Sequence, residues 1–196
     1  MLFRLTISGT ATADFDHTTA PETSDDCQTS ERAEGVRTVR FRTRRPTVVR
    51  VVAGRVQPVE VRGIAGAVKL SGPNTANEVC TTGETHTSQP CANTTRTFRD
   101  AHTALSSAKP GSLTLRPLRV RLVRVQCPRE PAEVVAAPLG PVPGPLHLSV
   151  AALTQERITR LTLTATATTH KNYPAPEDGM IVQRSHWVLT FERIRP

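Results

Sequence analysis

The feature that most constrains this chain is alternation. Apolar residues take turns with Thr, Ser or Arg over short runs, as in Arg4-Leu5-Thr6-Ile7-Ser8-Gly9-Thr10-Ala11-Thr12-Ala13 and Val39-Arg40-Phe41-Arg42-Thr43-Arg44. A period of two fits an extended strand with one buried face, and a helix of period 3.6 would smear the same residues around its whole surface. Val, Ile and Thr suit that pleated surface, and clusters of Gly, Pro, Asn and Asp punctuate the runs. The pattern predicts strands over residues 3–12, 36–43, 47–52, 56–62, 64–71, 95–99, 113–125 with a break at Pro117, 146–150, 158–168 and 186–194. Only residues 101–108 and 151–157 read as short helical windows.

Three stretches read as loops by composition: 14–33, acidic and polar; 72–93, polar; and 128–145, which holds six prolines. Proline cannot donate to a ladder, so the last is not a central strand. A chain of 196 residues has room for one domain with a sizeable core, and the apolar runs flanking 128–145 are too few for two separate cores. The expectation is a single domain over residues 1–196: all-β, an antiparallel β-sandwich or partly closed barrel of about eight to ten strands with long polar loops.

An internal echo adds to this. Arg4 to Ala13 matches Arg160-Leu161-Thr162-Leu163-Thr164-Ala165-Thr166-Ala167-Thr168-Thr169 at six of ten positions. Each copy leads through a polar stretch into a second run, 36–46 and 186–196, with Phe at the sixth place (Phe41, Phe191) and Arg-Pro at the end. Duplication gives this pattern, and so do two unrelated strands drawn from a Thr-, Ala- and Arg-rich alphabet. Either way a long antiparallel hairpin is expected at each end of the chain. Pairing the first strand with one of the last would protect edges that otherwise invite aggregation.

No apolar run approaches the ~18 residues of a membrane helix, so no transmembrane segment is expected. Met1-Leu2-Phe3-Arg4 and the residues after it are too polar for the apolar core of an export signal. The four cysteines, Cys27, Cys80, Cys91 and Cys127, allow three pairings and fit an oxidising compartment. Cys80 and Cys91 bracket a polar stretch that a disulfide would close, which leaves Cys27 for Cys127. Four reduced, buried thiols in a cytoplasmic protein are the other reading.

A strand ending in Gly9-Thr10, a loop with Cys27, the strand Val39-Arg40-Phe41-Arg42, an insert bracketed by Cys80 and Cys91, then Cys127-Pro128 and a closing Trp187-Val188-Leu189-Thr190-Phe191 together resemble uncharacterised exported β-proteins of high-GC actinobacteria. The resemblance implies an extracellular or cell-envelope setting and brings no catalytic residues with it.

The net charge of +8 rests on arginine, since Lys69, Lys109 and Lys171 are the only lysines. A GC-rich genome writes Arg over Lys at solvated positions whatever the function, so the balance alone is poor evidence for a nucleic-acid partner. Position says more. Alternation places Arg40, Arg42 and Arg44 on one face of their strand and Arg119 and Arg121 on one face of theirs. If the two strands neighbour each other, the five form a cationic stripe suited to phosphate and carboxylate, on an anionic polymer or a protein partner. An ordinary solvated face accounts for the same residues. The seven aromatics, Phe3, Phe15, Phe41, Phe98, Phe191, Tyr173 and Trp187, are needed for a core, which argues against base stacking and so against a specific nucleic-acid function.

Asp14-Phe15-Asp16-His17 places two carboxylates on one side of an extended segment with an imidazole beside them. With His170, which follows the second copy of the echo, they are candidate metal ligands. An acidic loop facing basic strands explains them as well. No nucleophile elbow, P-loop, dinucleotide fingerprint or zinc-protease motif occurs, and the pattern names no cofactor. The leading expectation is a non-enzymatic, exported β-domain with an arginine-bearing face. A small secreted hydrolase or metal-dependent enzyme with a site made of loop-borne Asp and His is the alternative, and for location the alternative is the cytoplasm.

Overall fold

In the computed structural model, residues 1–24, 26–71, 74–83, 85–88, 94–120, 140–155 and 157–194 are described. They hold thirteen strands and one short helix: β1 (Leu2–Thr18), β2 (Glu22–Ser24), β3 (Cys27–Thr43), β4 (Thr47–Val52), β5 (Arg55–Val56), β6 (Val59–Ser71), β7 (Asn74–Cys80), β8 (Thr85–Ser88), β9 (Thr94–Ser106), β10 (Ser112–Leu115), β11 (Leu146–His147), α1 (Val150–Thr154), β12 (Arg160–Asn172) and β13 (Asp178–Arg193). The fold is all-β and sandwich-like, built on one large antiparallel sheet that does not close into a barrel.

The main path of the sheet runs β11-β10-β9-β6-β3-β1-β13-β12. Both expected hairpins are present, β1 with β3 and β12 with β13, and β1 also pairs β13, so the two hairpins join side by side toward the β12 edge of the sheet. Near its start β1 changes partner. Residues Ser8–Thr18 lie against β3, whereas Leu2–Leu5 lie against β4. The exchange falls at Pro46, which has no N–H to give a ladder.

Alternation sorts the side chains as the sequence suggests. Phe3, Leu5, Ile7, Ala11, Ala13 and Phe15 of β1 point inward, with Val39 and Phe41 of β3 and Trp187, Leu189 and Phe191 of β13. The T-shaped contact of Phe41 with Trp187, with ring centroids 4.8 Å apart, spans β1 at Gly9, the residue between them in the register. The Trp187 indole donates to the Pro141 carbonyl at 3.2 Å, so the segment after Gly140 covers this part of the core. At the other end α1 is capped by the Ser149 hydroxyl, which accepts from the Ala152 N–H, and its Leu153 is fully buried. Burying a side chain of that size is worth about 1.5–3 kcal/mol.

Several expectations need correction. Residues 14–33 are mostly strand and not loop: β1 continues to Thr18 because Phe15 and His17 extend the buried period while Asp14 and Asp16 alternate outward. The 101–108 window is the end of β9, where Ala101, Thr103 and Leu105 are buried and His102, Ala104 and Ser106 are not, a period of two. The 56–62 run is split at Gln57-Pro58, and the 113–125 run keeps strand only over β10 among the described residues, with a single bridge at Arg119. The strand count exceeds the expected one because short strands form in stretches that composition assigns to loops.

The cysteine pairing also differs. Cys27 and Cys80 stand directly opposite each other on β3 and β7 and form a disulfide, with Cα atoms 3.9 Å apart. This replaces both Cys80–Cys91 and Cys27–Cys127. Cys91 and Cys127 lie outside the described residues.

Candidate anion-binding face

Arg40 and Arg42 are exposed on the outer face of β3, the face opposite the core. Their cross-strand neighbours are small: Ala67 and Ala65 on β6, Thr10 and Ser8 on β1. Side chains of that size leave both guanidinium groups open to solvent, and no carboxylate among the described residues pairs with either. Arg44 follows the end of the strand, is likewise exposed, and is fixed by its backbone N–H on the Gly63 carbonyl at 3.0 Å.

The expected stripe does not continue directly to Arg119. That residue exchanges backbone hydrogen bonds of 2.8 and 2.9 Å with His102 of β9, so β6 and β9 separate it from β3. Arg121 lies outside the described residues. The sheet supplies other cations instead. Lys69 stands opposite Thr38, and the register aligns Arg40, Thr10, His186 and Thr166 across four strands, with Thr38, Thr12, Arg184 and Thr168 in the next row. Sequence reading missed Lys69, Arg184 and His186 because membership of this face depends on sheet order, which no local pattern carries. Between Thr10 and Thr12 on one side and Thr166 and Thr168 on the other lies a shallow depression of about 350 Å³ over Arg184 and His186.

The acidic end of the face is spoken for. Arg184 pairs with Asp14. Arg32 grips Asp16 through Nε at 3.0 Å and Nη2 at 2.8 Å, and also reaches Glu34 at 3.5 Å. The Asp16 carboxylate, by hydrogen bond first and by charge second, holds the Arg32 guanidinium even more firmly in its charged form.

His17 faces the other way. It is buried, its ring packs on Tyr173 with centroids 3.9 Å apart, and its Nε2 lies 3.1 Å from Glu177 Oε2. His170 is exposed on β12, and in the register Val182 of β13 stands between it and Asp14. The four candidate ligands Asp14, Asp16, His17 and His170 are therefore not brought together, since the period of two sends His17 to the face opposite its neighbours. Among the described residues no group of three or more His, Cys, Asp or Glu converges as a metal site would require.

All seven aromatic residues are buried. The outer face thus has hydroxyls and cations and no stacking platform. No helix among the described residues is long and apolar enough to cross a membrane. No protein-family model, curated protein or solved structure matches the chain.

Proposed function

We propose that this chain is a non-enzymatic, exported or envelope-associated β-domain that holds anionic polymers on the outer face of its sheet. The observation that carries the reading is the pair Arg40 and Arg42, open on β3 among Ala65, Ala67, Ser8 and Thr10 and without carboxylate partners among the described residues. Guanidinium groups spaced two residues apart on a rigid strand present fixed forks to phosphate, sulfate or carboxylate groups of a chain lying along the sheet. Burial of every aromatic supports recognition by charge and hydroxyl contacts over ring stacking. The Cys27–Cys80 disulfide supports an oxidising compartment.

The test is binding to immobilised dextran sulfate over a salt series. Wild type is expected to bind at low salt and release as salt screens the contact. Replacing Arg40, Arg42 and Arg44 together by Gln should remove the salt-sensitive binding while leaving the fold intact, because all three are exposed. Equal binding by the triple variant would overturn the assignment of the face.

A further inference from the structure

A second cationic site lies away from Arg40 and Arg42, beyond β6 at the outer edge of β9. The segment Arg116-Pro117-Leu118-Arg119 is laid against the strand and fixed at both ends: Arg116 N–H donates to the Ala104 carbonyl at 2.9 Å, and Arg119 exchanges two backbone bonds with His102. The Thr103 hydroxyl donates to the Arg116 carbonyl at 2.6 Å, and Leu118 is buried in the core at 1% exposure. Two exposed arginines are thus carried on a short, pinned segment with a proline inside it. Together with His102 and Glu60 they line a cleft of about 260 Å³.

The charges in this cleft do not cancel. Glu60 is the one carboxylate that lines it, and Arg62 already holds its Oε2 through Nε at 3.0 Å and Nη2 at 2.7 Å. Glu60 Oε1 faces His102 Nε2 at 3.7 Å. Arg116 and Arg119 form no ion pair among the described residues, although the charge of Arg119 acts on Glu60, whereas Arg32, Arg62 and Arg184 are paired. Two positive charges on a prearranged segment are left over. A second depression, of about 410 Å³, shares Glu60, Ala104 and Arg116 with the first and continues over the exposed ring of Pro58. One end is cationic and the adjoining end is largely apolar.

We propose that this pair of clefts is a binding site for a phosphate monoester that has an apolar or aromatic substituent, its phosphate between Arg116 and Arg119 and its substituent over Pro58 and Ala104. A phosphate monoester has a charge of about −1.5 to −2 at neutral pH, which matches the two uncompensated guanidinium groups, and its oxygens accept from their forks. A sulfate ester or a phosphodiester, with one charge, leaves one arginine unmatched. This inference does not rest on the polymer-binding face, because Arg40, Arg42 and Arg44 take no part in it.

The test is titration of ¹⁵N-labelled full-length protein with phenyl phosphate at pH 7.5, with phenyl sulfate and inorganic phosphate as comparators. Phenyl phosphate should give saturable shifts at His102, Thr103, Ala104 and Arg119, at least about tenfold tighter than either comparator. Replacing both Arg116 and Arg119 by Gln should weaken it by at least about tenfold, and replacing Arg40 and Arg42 by Gln should leave it unchanged. Glu60→Gln, which removes the one carboxylate that lines the cleft, should tighten it. Equal affinity for phenyl sulfate would overturn the charge match, and equal affinity for inorganic phosphate would overturn the substituent pocket. Shifts that do not saturate, or that move to β3, would overturn the site as a whole while leaving the dextran sulfate result to stand or fall by itself.

Discussion

Leu5 and Leu161, matched residues of the two echoed segments, both stand opposite Phe191, one on each flank of β13. The relationship holds along the whole echo, from Arg4 and Arg160 at Glu192 to Thr12 and Thr168 at Arg184. The two copies run parallel to each other in one register with β13 between them. They do not build two like hairpins, since Gly9 lies opposite Phe41, whereas its counterpart Ala165 lies opposite Trp187 and not Phe191. What the copies share is a partner strand. Its inward residues Trp187, Leu189 and Phe191 meet Gly or Ala at the bulky end and Ile or Leu elsewhere, whichever flank supplies them.

One departure within the echo has a steric cause. A Cβ on Gly9 would sit 2.5 Å from Phe41 Cζ and 2.5 Å from the His186 carbonyl oxygen, because β1 is central and the Phe41 ring lies over it. Ala165 already has a Cβ at the matching place, on a strand paired only with β13 among the described residues. Gly9→Ala should therefore cost about 1–3 kcal/mol, since both the Phe41 ring and the β13 backbone at His186 must shift. Ala165→Gly should cost less than about 1 kcal/mol, the ordinary entropic loss. Urea unfolding of the two variants measures the difference, and equal costs would show that the Phe41 contact does not constrain β1.

The disulfide gives a second expectation. Cys27 and Cys80 are 53 residues apart in sequence, a span for which the chain-entropy account assigns about 4 kcal/mol to the crosslink. Digestion of unreduced protein should yield one linked species containing Cys27 and Cys80. Finding Cys80 joined to Cys91 would refute the β3–β7 register. Replacing Cys27 and Cys80 by Ala should lower stability by about that amount at neutral pH.

How much of this was legible follows from where the information lies. Strands announce themselves locally: the run over 47–52 is β4 to the residue, and the odd positions of β1 are the buried ones. The continuation of β1 past Thr12 was hidden because Asp14, Asp16 and His17 look like loop composition, although Phe15 keeps the period. The hairpins and the meeting of β1 with β13 were legible from alternation and echo. Neighbour relations between distant strands were not. Arg119 and Arg40 carry the same local signature, yet β6 and β9 stand between them, and Cys27 meets Cys80 because two strands share a register, a fact that loop bracketing cannot supply.

Glu60 is the group whose titration reports on the second cleft. The hydrogen bond from Arg62 holds its carboxyl below the usual carboxylate range; burial opposes this, and the weaker charges of Arg62, His102 and Arg119 add to it. A depressed folded-state value stabilises the protein above the ordinary carboxylate range, and that contribution fades as pH falls through it. Arg62→Ala should raise the midpoint of the Glu60 side-chain ¹³C titration toward the ordinary range. An unmoved midpoint would mean that Arg62 is not its principal partner in solution.

The contact of buried His17 with buried Tyr173 and half-exposed Glu177 should matter for stability. His17→Ala empties a space under the Tyr173 ring and leaves Glu177 without its 3.1 Å partner, for a cost of about 2–4 kcal/mol. Glu177→Gln keeps a hydrogen-bonding group at that place and should cost less than about 1 kcal/mol. Guanidinium unfolding of both variants decides it. A small loss for His17→Ala would show that the ring is not packed as described.

The edge of the sheet offers the last prediction. β12 pairs β13 over thirteen residues without a bulge, and among the described residues no strand covers its other side. An antiparallel strand with one partner turns its backbone N–H groups alternately toward that partner and away from it. Hydrogen exchange along Leu161–Thr169 should therefore alternate, slow at amides bonded to β13 and fast at those between them. Within the matched copy, Ser8–Ala13 has β13 on one side and β3 on the other, so its amides should be slow throughout. Long edges of Thr and Ala without a proline or an inward charge are templates for further pairing, so the same experiment reads whether this one is occupied in solution. Uniform protection of β12 at low protein concentration would mean that another part of the chain pairs with it; protection that grows with concentration would mean that a second molecule does.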